Sequence, residues 1–327
     1  MAGALQIGRD IVGVAKQTAL GAIAANPTYA HGVATGSLPS IAIGQADDPQ
    51  TSGGRAAPGA YRNQVDEKFV FDTRAWQKSI GLYLLAALGN DSVTGSGPYT
   101  HTIAQGLTVP YLSMFAKKGD GTFIAVRDSK ITKLELSWAD NQPLVVSVET
   151  DGTVLSFPAT FTPSGADESG TLAYYTPVGG TFKYDITTST PAVASVVGGK
   201  VTILQDVTTP IFSGAIEAGD AIEGNLNVDV SLDVIPTDAT LWRKILTGSV
   251  SGTSIMTTPQ YGSFDVKFAK GADSLDIAAS NVGFLADLPG ADAKGGPGQM
   301  SIAGGCYPAA AGGTPLTAVL INTVATY

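Results

Sequence analysis

The sequence predicts a mainly β protein made of two copies of one small module, each carrying a single helix. Three observations predict it. Asp-x-x-x-Trp-x-Lys followed by an aliphatic residue occurs twice, at Asp72, Trp76, Lys78, Ile80 and at Asp238, Trp242, Lys244, Leu246, in a chain with only three tryptophans. Two tracts alternate apolar and polar with the two-residue period of a half-buried strand. Only 14% of the 327 residues are charged while glycine reaches 40 copies, a turn-rich, β-rich composition.

The strands come first. Leu226, Val228, Val230, Leu232 and Val234 alternate with Asn227, Asp229, Ser231 and Asp233; Leu134, Leu136 and Trp138 alternate with Glu135 and Ser137; Val146 and Val148 alternate with Ser147 and Glu149. One face of each packs and the other is wet. The helices follow from spacings of three and four. Trp76, Ile80, Tyr83, Leu84 and Ala87 give an amphipathic helix of about four turns, with Asp72 or Thr73 as N-cap and Gly89 as stop. Leu241, Trp242, Ile245 and Leu246 give a shorter one, from Asp238 or Thr240 to Gly248.

The echo extends beyond the helices. Upstream, IAIGQ (41–45) matches VTILQ (201–205); downstream, YLSMFAKKGDGTFIAV (111–126) matches FDVKFAKGADSLDIAA (264–279), each with a turn after Phe-Ala-Lys. The offset falls from 166 at the tryptophans to 153 at Phe115/Phe268, so the first copy carries an insertion, placed at 90–101. The modules are read as 1–165 and 166–327, each long enough for its own core.

Charge and chemistry exclude several functions. The net charge of −9 divides unevenly: 12 Lys/Arg against 13 Asp/Glu up to residue 165, then 7 against 15. A sequence-reading nucleic-acid binder needs a basic face, and none is evident. The one cysteine, Cys306, reads as a buried apolar group. Arg9, Asp10 and Lys16 interrupt any leader-peptide core, and the longest apolar run, Gly81 to Gly89, is too short to cross a bilayer. His31 reads as a loop side chain and His101 as one at a strand edge; Gly198-Gly199-Lys200 reads as a hairpin turn rather than a phosphate loop. Asp47-Asp48 and Asp229/Asp233 offer too few oxygens for calcium. No catalytic, cofactor or metal site is expected, and the chain is read as no enzyme.

Several stretches together resemble the tail tube proteins of long-tailed bacteriophages. IVGVAKQTALGAIAANPTY (11–29) is similar to the family's opening, YLLAALG (83–89) to its helix end, and PYTHTI (98–103) and ITKLELSWADNQPLVVSVETDG (131–152) to two later segments. Gln17 and Ala19-Leu20 depart from the family pattern, which puts the contacts of the N-terminal arm in question.

The resemblance implies two tandem tail-tube modules, each a β-sandwich or barrel-like unit with one flanking α-helix. It also implies edge-to-edge joining into a six-module ring, stacking into a tube, and passage of genomic DNA through the lumen. Partners would be other copies of the chain, the tape measure protein and the tail terminator or tip proteins, in a virion tail assembled in the host cytoplasm without membrane insertion. Two modules per chain favour three chains per ring over six. Lumen-facing candidates are Asn227, Asp229, Ser231, Asp233, Glu135, Ser147 and Glu149. Ring-to-ring candidates are Ile11, Lys16, Tyr29, Asp47, Asp48 and Arg55, in an arm and a loop expected to order on assembly. Trp76, Leu84, Trp242 and Leu246 are expected to pack the helices on the modules. The competing reading is an adhesive surface-layer β-sandwich.

Overall fold

A computed structural model describes residues 10–47, 59–139, 142–186, 192–193, 196–235, 241–286 and 300–327. The protein is mainly β, with nineteen strands and two helices among these residues, and a large antiparallel sheet. In the first half lie β1 (Ile11–Lys16), β2 (Tyr29–Gly32), β3 (Thr35–Asp47), β4 (Ala60–Arg74), α1 (Ile80–Leu88), β5 (Gly89–Thr94), β6 (Tyr99–Gln105), β7 (Leu112–Lys117), β8 (Phe123–Ala139), β9 (Val145–Asp151) and β10 (Val154–Ser156). The second half holds β11 (Ala166–Asp167), β12 (Thr181–Asp185), β13 (Ala192–Val193), β14 (Val196–Thr208), β15 (Ile222–Val234), α2 (Leu241–Thr247), β16 (Tyr261–Lys270), β17 (Asp273–Ala286), β18 (Met300–Cys306) and β19 (Thr317–Asn322).

The strand pairings repeat. In the first half β3 pairs β4, β4 pairs β9, β9 pairs β8, and β8 pairs β7 and β10. In the second half β14 pairs β15, β15 pairs β18, β18 pairs β17, and β17 pairs β16 and β19. Even the outer strands correspond, since β1 pairs β7 and β2 as β12 pairs β16 and β13. Within each module one long strand, β8 or β17, joins two sheets. Its first half pairs with β7 and β10, or with β16 and β19, in an outer sheet. Its C-terminal end pairs with β9, or with β18, in an inner sheet, with β16 following β17 as far as Gly283.

The modules are fused through their inner sheets. The second half of β8 carries β9 on one side and β14 on the other, with Ala139 to Lys133 opposite Gly198 to Leu204. Leu134 and Leu136 thereby lie beside Ile203 and Val201, all essentially inaccessible. Behind them Trp138 meets Phe182 and Phe268, with ring centroids 6.0 and 5.4 Å away. Gly198 and Gly199 are therefore strand residues within this junction, not the hairpin turn that their dipeptide suggests. A Cβ on Gly199 would stand 2.6 Å from the Ser231 carbonyl and 2.7 Å from the Trp138 ring.

Other segments cross between modules. The expected insertion is the β5–β6 hairpin, and β6 continues the outer sheet of the second module by pairing with β19. The segment just after residue 165 stays with the first module: β11 pairs in parallel with β2, and Leu144 donates its amide to the Tyr175 carbonyl at 3.0 Å. Tyr327 returns to stack near His101, centroids 4.7 Å apart, and lies against α1 at Gly81.

The first helix differs from its sequence reading. Asp72 and Thr73 belong to β4, because Phe69, Phe71 and Thr73 bury one face while β3 and β9 pair both edges. The helix starts only at Ile80, and all nine residues are buried, so it is enclosed all round rather than amphipathic. Ser79 at the N-cap makes no side-chain cap bond. Glu168, ninety residues away, accepts from the amides of Lys78 and Ser79 at 3.1 and 3.0 Å and takes the capping role. Gly89, with φ of 103°, is the expected stop.

His31 lies on β2, fully buried, not in a loop. Its Nε2 is 2.7 Å from the Tyr83 hydroxyl, and its Nδ1 is 3.2 Å from Thr73 Oγ1, which accepts from the Trp76 indole at 3.0 Å. Trp76 and Leu84 are buried in this region; Trp242 and Leu246 on α2 are only half-buried. Burial holds the imidazole near a pKa of about 4, below its ordinary 6.5. The neutral ring is thus the folded form, and its contribution is complete above pH 6.5 and fades as pH falls toward 4.

Replacing Gly199 with valine should cost about 2 kcal/mol by overpacking the junction and lower the thermal midpoint by several degrees. Calorimetry with Trp fluorescence checks this. For His31→Phe, the loss of stability between pH 6.5 and 4 should become shallower in urea titrations.

Candidate assembly interface

The inner sheets of both modules form one eight-stranded antiparallel surface in the order β3, β4, β9, β8, β14, β15, β18, β17. Its rows can be followed residue by residue. Gly36, Phe71, Val148, Leu134, Ile203, Val228, Cys306 and Val282 lie opposite one another along the core side. One position along each strand, Thr35, Asp72, Ser147, Glu135, Thr202, Asp229, Gly305 and Gly283 form the neighbouring row on the other face.

All seven lumen candidates lie on that second face. Ser147, Glu135 and Asp229 share the row above; Glu149 and Asn227 lie in the next row, linked through Lys133 and Leu204. Ser231 lies opposite Lys200 and Asp233 opposite Gly198. Asn227, Asp229 and Asp233 are exposed. A period-two pattern read on separate segments thus becomes one surface, because the strands are in register.

The charge of this face is mixed, with carboxylates in the majority. Asp66, Asp72, Glu135, Glu149, Asp151, Asp229 and Asp233 stand against Lys68, Arg74, Lys133 and Lys200. Lys68 pairs with Asp151 at 3.1 Å, and Lys133 reaches Glu149 at 3.4 Å and Glu135 at 3.8 Å. The Arg74 guanidinium lies 4.4 Å from the centroid of the Tyr174 ring. Fixed carboxylates and an aromatic face hold three of the four cations.

Both ends of the surface are open among the described residues. β3, thirteen residues long, is hydrogen-bonded only to β4. At the far end Phe284, Leu285 and Ala286 of β17 pair only with β18. The remaining edges are short or polar, such as β10 with three residues and β5 with the sequence GNDSVT. A long unpaired edge is a ready site for another strand.

Glu67, beside Ile41 of β3, is 2% exposed, and neither carboxylate oxygen has a partner. Burial, reinforced by Glu217 and Asp66, raises its pKa from 4.5 to about 7. The protonated acid is the form that suits this site.

The ring-to-ring candidates are dispersed. Ile11 and Lys16 are on β1, which pairs with both β2 and β7, and Lys16 Nζ bonds the Tyr327 carbonyl. Tyr29 is 5% exposed and packs near Tyr327, which leaves it no surface for a second ring. From residue 11 to 16 and from 29 to 32, then, the arm is already part of the outer sheet. Asp47 is exposed at the end of β3; Asp48 and Arg55 lie outside the described residues, as does most of their loop. Sequence reasoning missed Ile41, Ile43 and Leu285, the apolar side chains at the open edges; their signal is an isoleucine pair in a strand that lacks a second neighbour. No protein-family model and no curated protein matches the chain.

Glu67→Gln should raise the thermal midpoint at pH 8 and leave it nearly unchanged at pH 4. The wild-type carboxyl must lose a proton, or keep one at a cost, only as pH rises from 4.5 through 7. Melting curves at the two values check the sign.

Proposed function

We propose that the chain is the structural subunit of a bacteriophage tail tube, with three copies closing a six-module ring and rings stacking into a DNA-conducting tube. The observation that carries this reading is the eight-stranded surface. It has one buried face, one polar face, and an unpaired strand edge at each end. Edges of this kind associate without limit unless the array closes on itself, and a closed barrel removes both.

The dimensions favour three chains. Eight strands from each of three chains make 24, and at about 4.8 Å per strand the backbone circle is about 37 Å across. Side chains reaching about 5 Å inward leave a bore of roughly 27 Å, enough for one duplex. Six chains would give a backbone circle of about 73 Å, far wider than a duplex requires. The second half of the chain extends the first half's sheet, which also speaks against a hexamer carrying it as an outer decoration. The resemblance of residues 7–152 to tail tube proteins points the same way, and a virion tail is the location that this role entails.

The bore would hold DNA loosely. On the face described above, three carboxylates per chain are in excess, and ion pairs occupy Lys68 and Lys133. Phosphates meet neither a basic wall nor an extended row of unpaired cations.

Purified protein should form rings or hollow rods under negative stain, with a ring mass of about 100 kDa for three chains of 33.3 kDa. Monomeric particles at assembly concentrations, or six chains per ring, would count against the reading. Asp229→Lys with Asp233→Lys turns the described face from an excess of three negative charges to one positive charge per chain. Tubes of this variant should retain duplex DNA at low salt and release it steeply as salt rises, whereas wild-type tubes retain none in the same filter assay.

A further inference from the structure

We propose that the outer edge of β3 in one copy pairs antiparallel with the C-terminal end of β17 in a second copy, whose groove beside α2 receives the first copy's β3–β4 hairpin. This rests on the ring reading above and specifies its joint. The chain already contains one example of that joint.

Every partner of β8 has a counterpart on β17 except one. β7 corresponds to β16, β10 to β19 and β9 to β18, but among the described residues nothing on β17 corresponds to β14. Seen from the other side, β14 has β15 and β8, whereas β3 has β4 alone among the described residues. The missing neighbour of β17 and the missing neighbour of β3 are each other's counterparts. Applying the β8–β14 pairing once more, between chains, satisfies both edges in one step.

The apolar surface is distributed accordingly. Ile41 and Ile43 are 39% and 52% exposed, although they lie in phase with the buried Phe69 on the core side of the sheet. Their counterparts on β14, Val201 and Ile203, are 0% and 1% exposed, because Leu136 and Leu134 of β8 lie alongside. On β17 the open edge has Phe284 on the same face to do this for Ile41 and Ile43, with Ala286 next in phase along the strand, since Val282 is already flanked by Gly262 and Cys306. The exposed isoleucines thus mark a half-built version of the β8–β14 core.

The helices show the same difference. Every residue of α1 is buried, but on α2 only Ile245 is. At the first module, the end of α1 at Ala87 and Leu88 and the turn end of the β14–β15 hairpin at Gln205 and Leu226 face each other across a cleft of about 470 Å³. The matching region of the second module is a groove of about 580 Å³ lined by Ile245, Leu246, Ile255, Met256, Phe284 and Leu285. Ile255 and Leu285 are 74% and 69% exposed there. The hairpin that corresponds to β14–β15 is β3–β4, whose turn end presents Ile43 and the 54% exposed Tyr61. A second copy of this chain is therefore the occupant that fits.

Paired cysteines test the joint. Ala42 and Leu285 alternate with the core-side residues of their strands, so both belong to the polar face. The double variant A42C/L285C, assembled and oxidised, should run on non-reducing gels as a ladder that ends at a covalent three-chain species. S40C/L285C, tried in parallel, covers a register offset of two residues. Neither A42C nor L285C alone should cross-link. A covalent dimer from A42C alone sets β3 against β3 and overturns the proposal. Rings seen by microscopy with no cross-link in either double variant overturn the joint but leave the ring reading intact; absence of rings from the wild type sinks both. Ile43→Lys gives a second measure: the isolated chain should melt as the wild type does, while ring assembly should need at least about tenfold more protein. Assembly at the wild-type concentration, or cross-links unaffected by this change, would overturn the docking of the hairpin.

Discussion

The structure depends on the double pairing of β8. A strand in the middle of a sheet must have its backbone donors and acceptors answered on both edges, because an unpaired buried amide costs about as much as a lost hydrogen bond. The second half of β8 is answered by β9 from its own module and by β14 from the other. That single choice turns two sandwiches into one molecule. It aligns the rows of the two inner sheets, gathers charged side chains from five strands on one face, and buries Leu134, Leu136, Val201 and Ile203 together. If β14 were elsewhere, the alternation in each strand would persist, but the surface would not exist.

The repeat is symmetric in its pairings and asymmetric in its coverings. The first module is supplied from the second half of the chain at several points: Glu168 caps its helix, Tyr327 lies against it, and the loop after β14 accepts from it where the Val65 amide donates to the Ile216 carbonyl at 2.8 Å. In return, the β5–β6 hairpin extends the outer sheet of the second module. The inner-sheet favour is not returned within the chain, since nothing described covers β17 and α2 as β14 and β15 cover β8 and α1. Apolar area removed from water is worth about 25 cal/mol per Å². Edges bearing Ile41, Ile43, Ile255 and Leu285 therefore hold an unspent driving force for association.

Much of this was legible in the sequence, at the level where local chemistry decides. Period-two alternation identified β8, β9 and β15 and assigned their wet residues to the correct face, because burial of alternate side chains is imposed strand by strand. The duplicated Phe-Ala-Lys turn marked equivalent hairpins. Long-range pairing was not legible. Asp72 and Thr73 looked like helix caps, yet a strand with neighbours on both edges took them, and the cap came from Glu168. His31 sat among glycine and alanine like a loop residue, although Tyr83 and Thr73, 52 and 42 residues away, complete its bonds. Gly198-Gly199 had the composition of a turn; the reason for it is the Trp138 ring, which leaves no room for a Cβ. In each case the deciding partner is distant in sequence, so no window of residues could contain it.

The same register determines what kind of wall the proposed bore presents. The net charge of −9, summed over the chain, says little about one face. The face itself is of mixed sign, and its lysines are placed where a carboxylate lies directly across or diagonal to them. Screening limits unpaired charge to a reach of about 10 Å at ordinary ionic strength, so within a bore of roughly 27 Å only the wall residues nearest the phosphates matter. For a passing polyanion, a cation held 3.1 to 3.4 Å from a fixed carboxylate is a dipole rather than a binding site. A conduit needs weak and even interaction more than strong repulsion, and in the proposed ring paired charges in register would provide it while keeping the wall hydrated before closure.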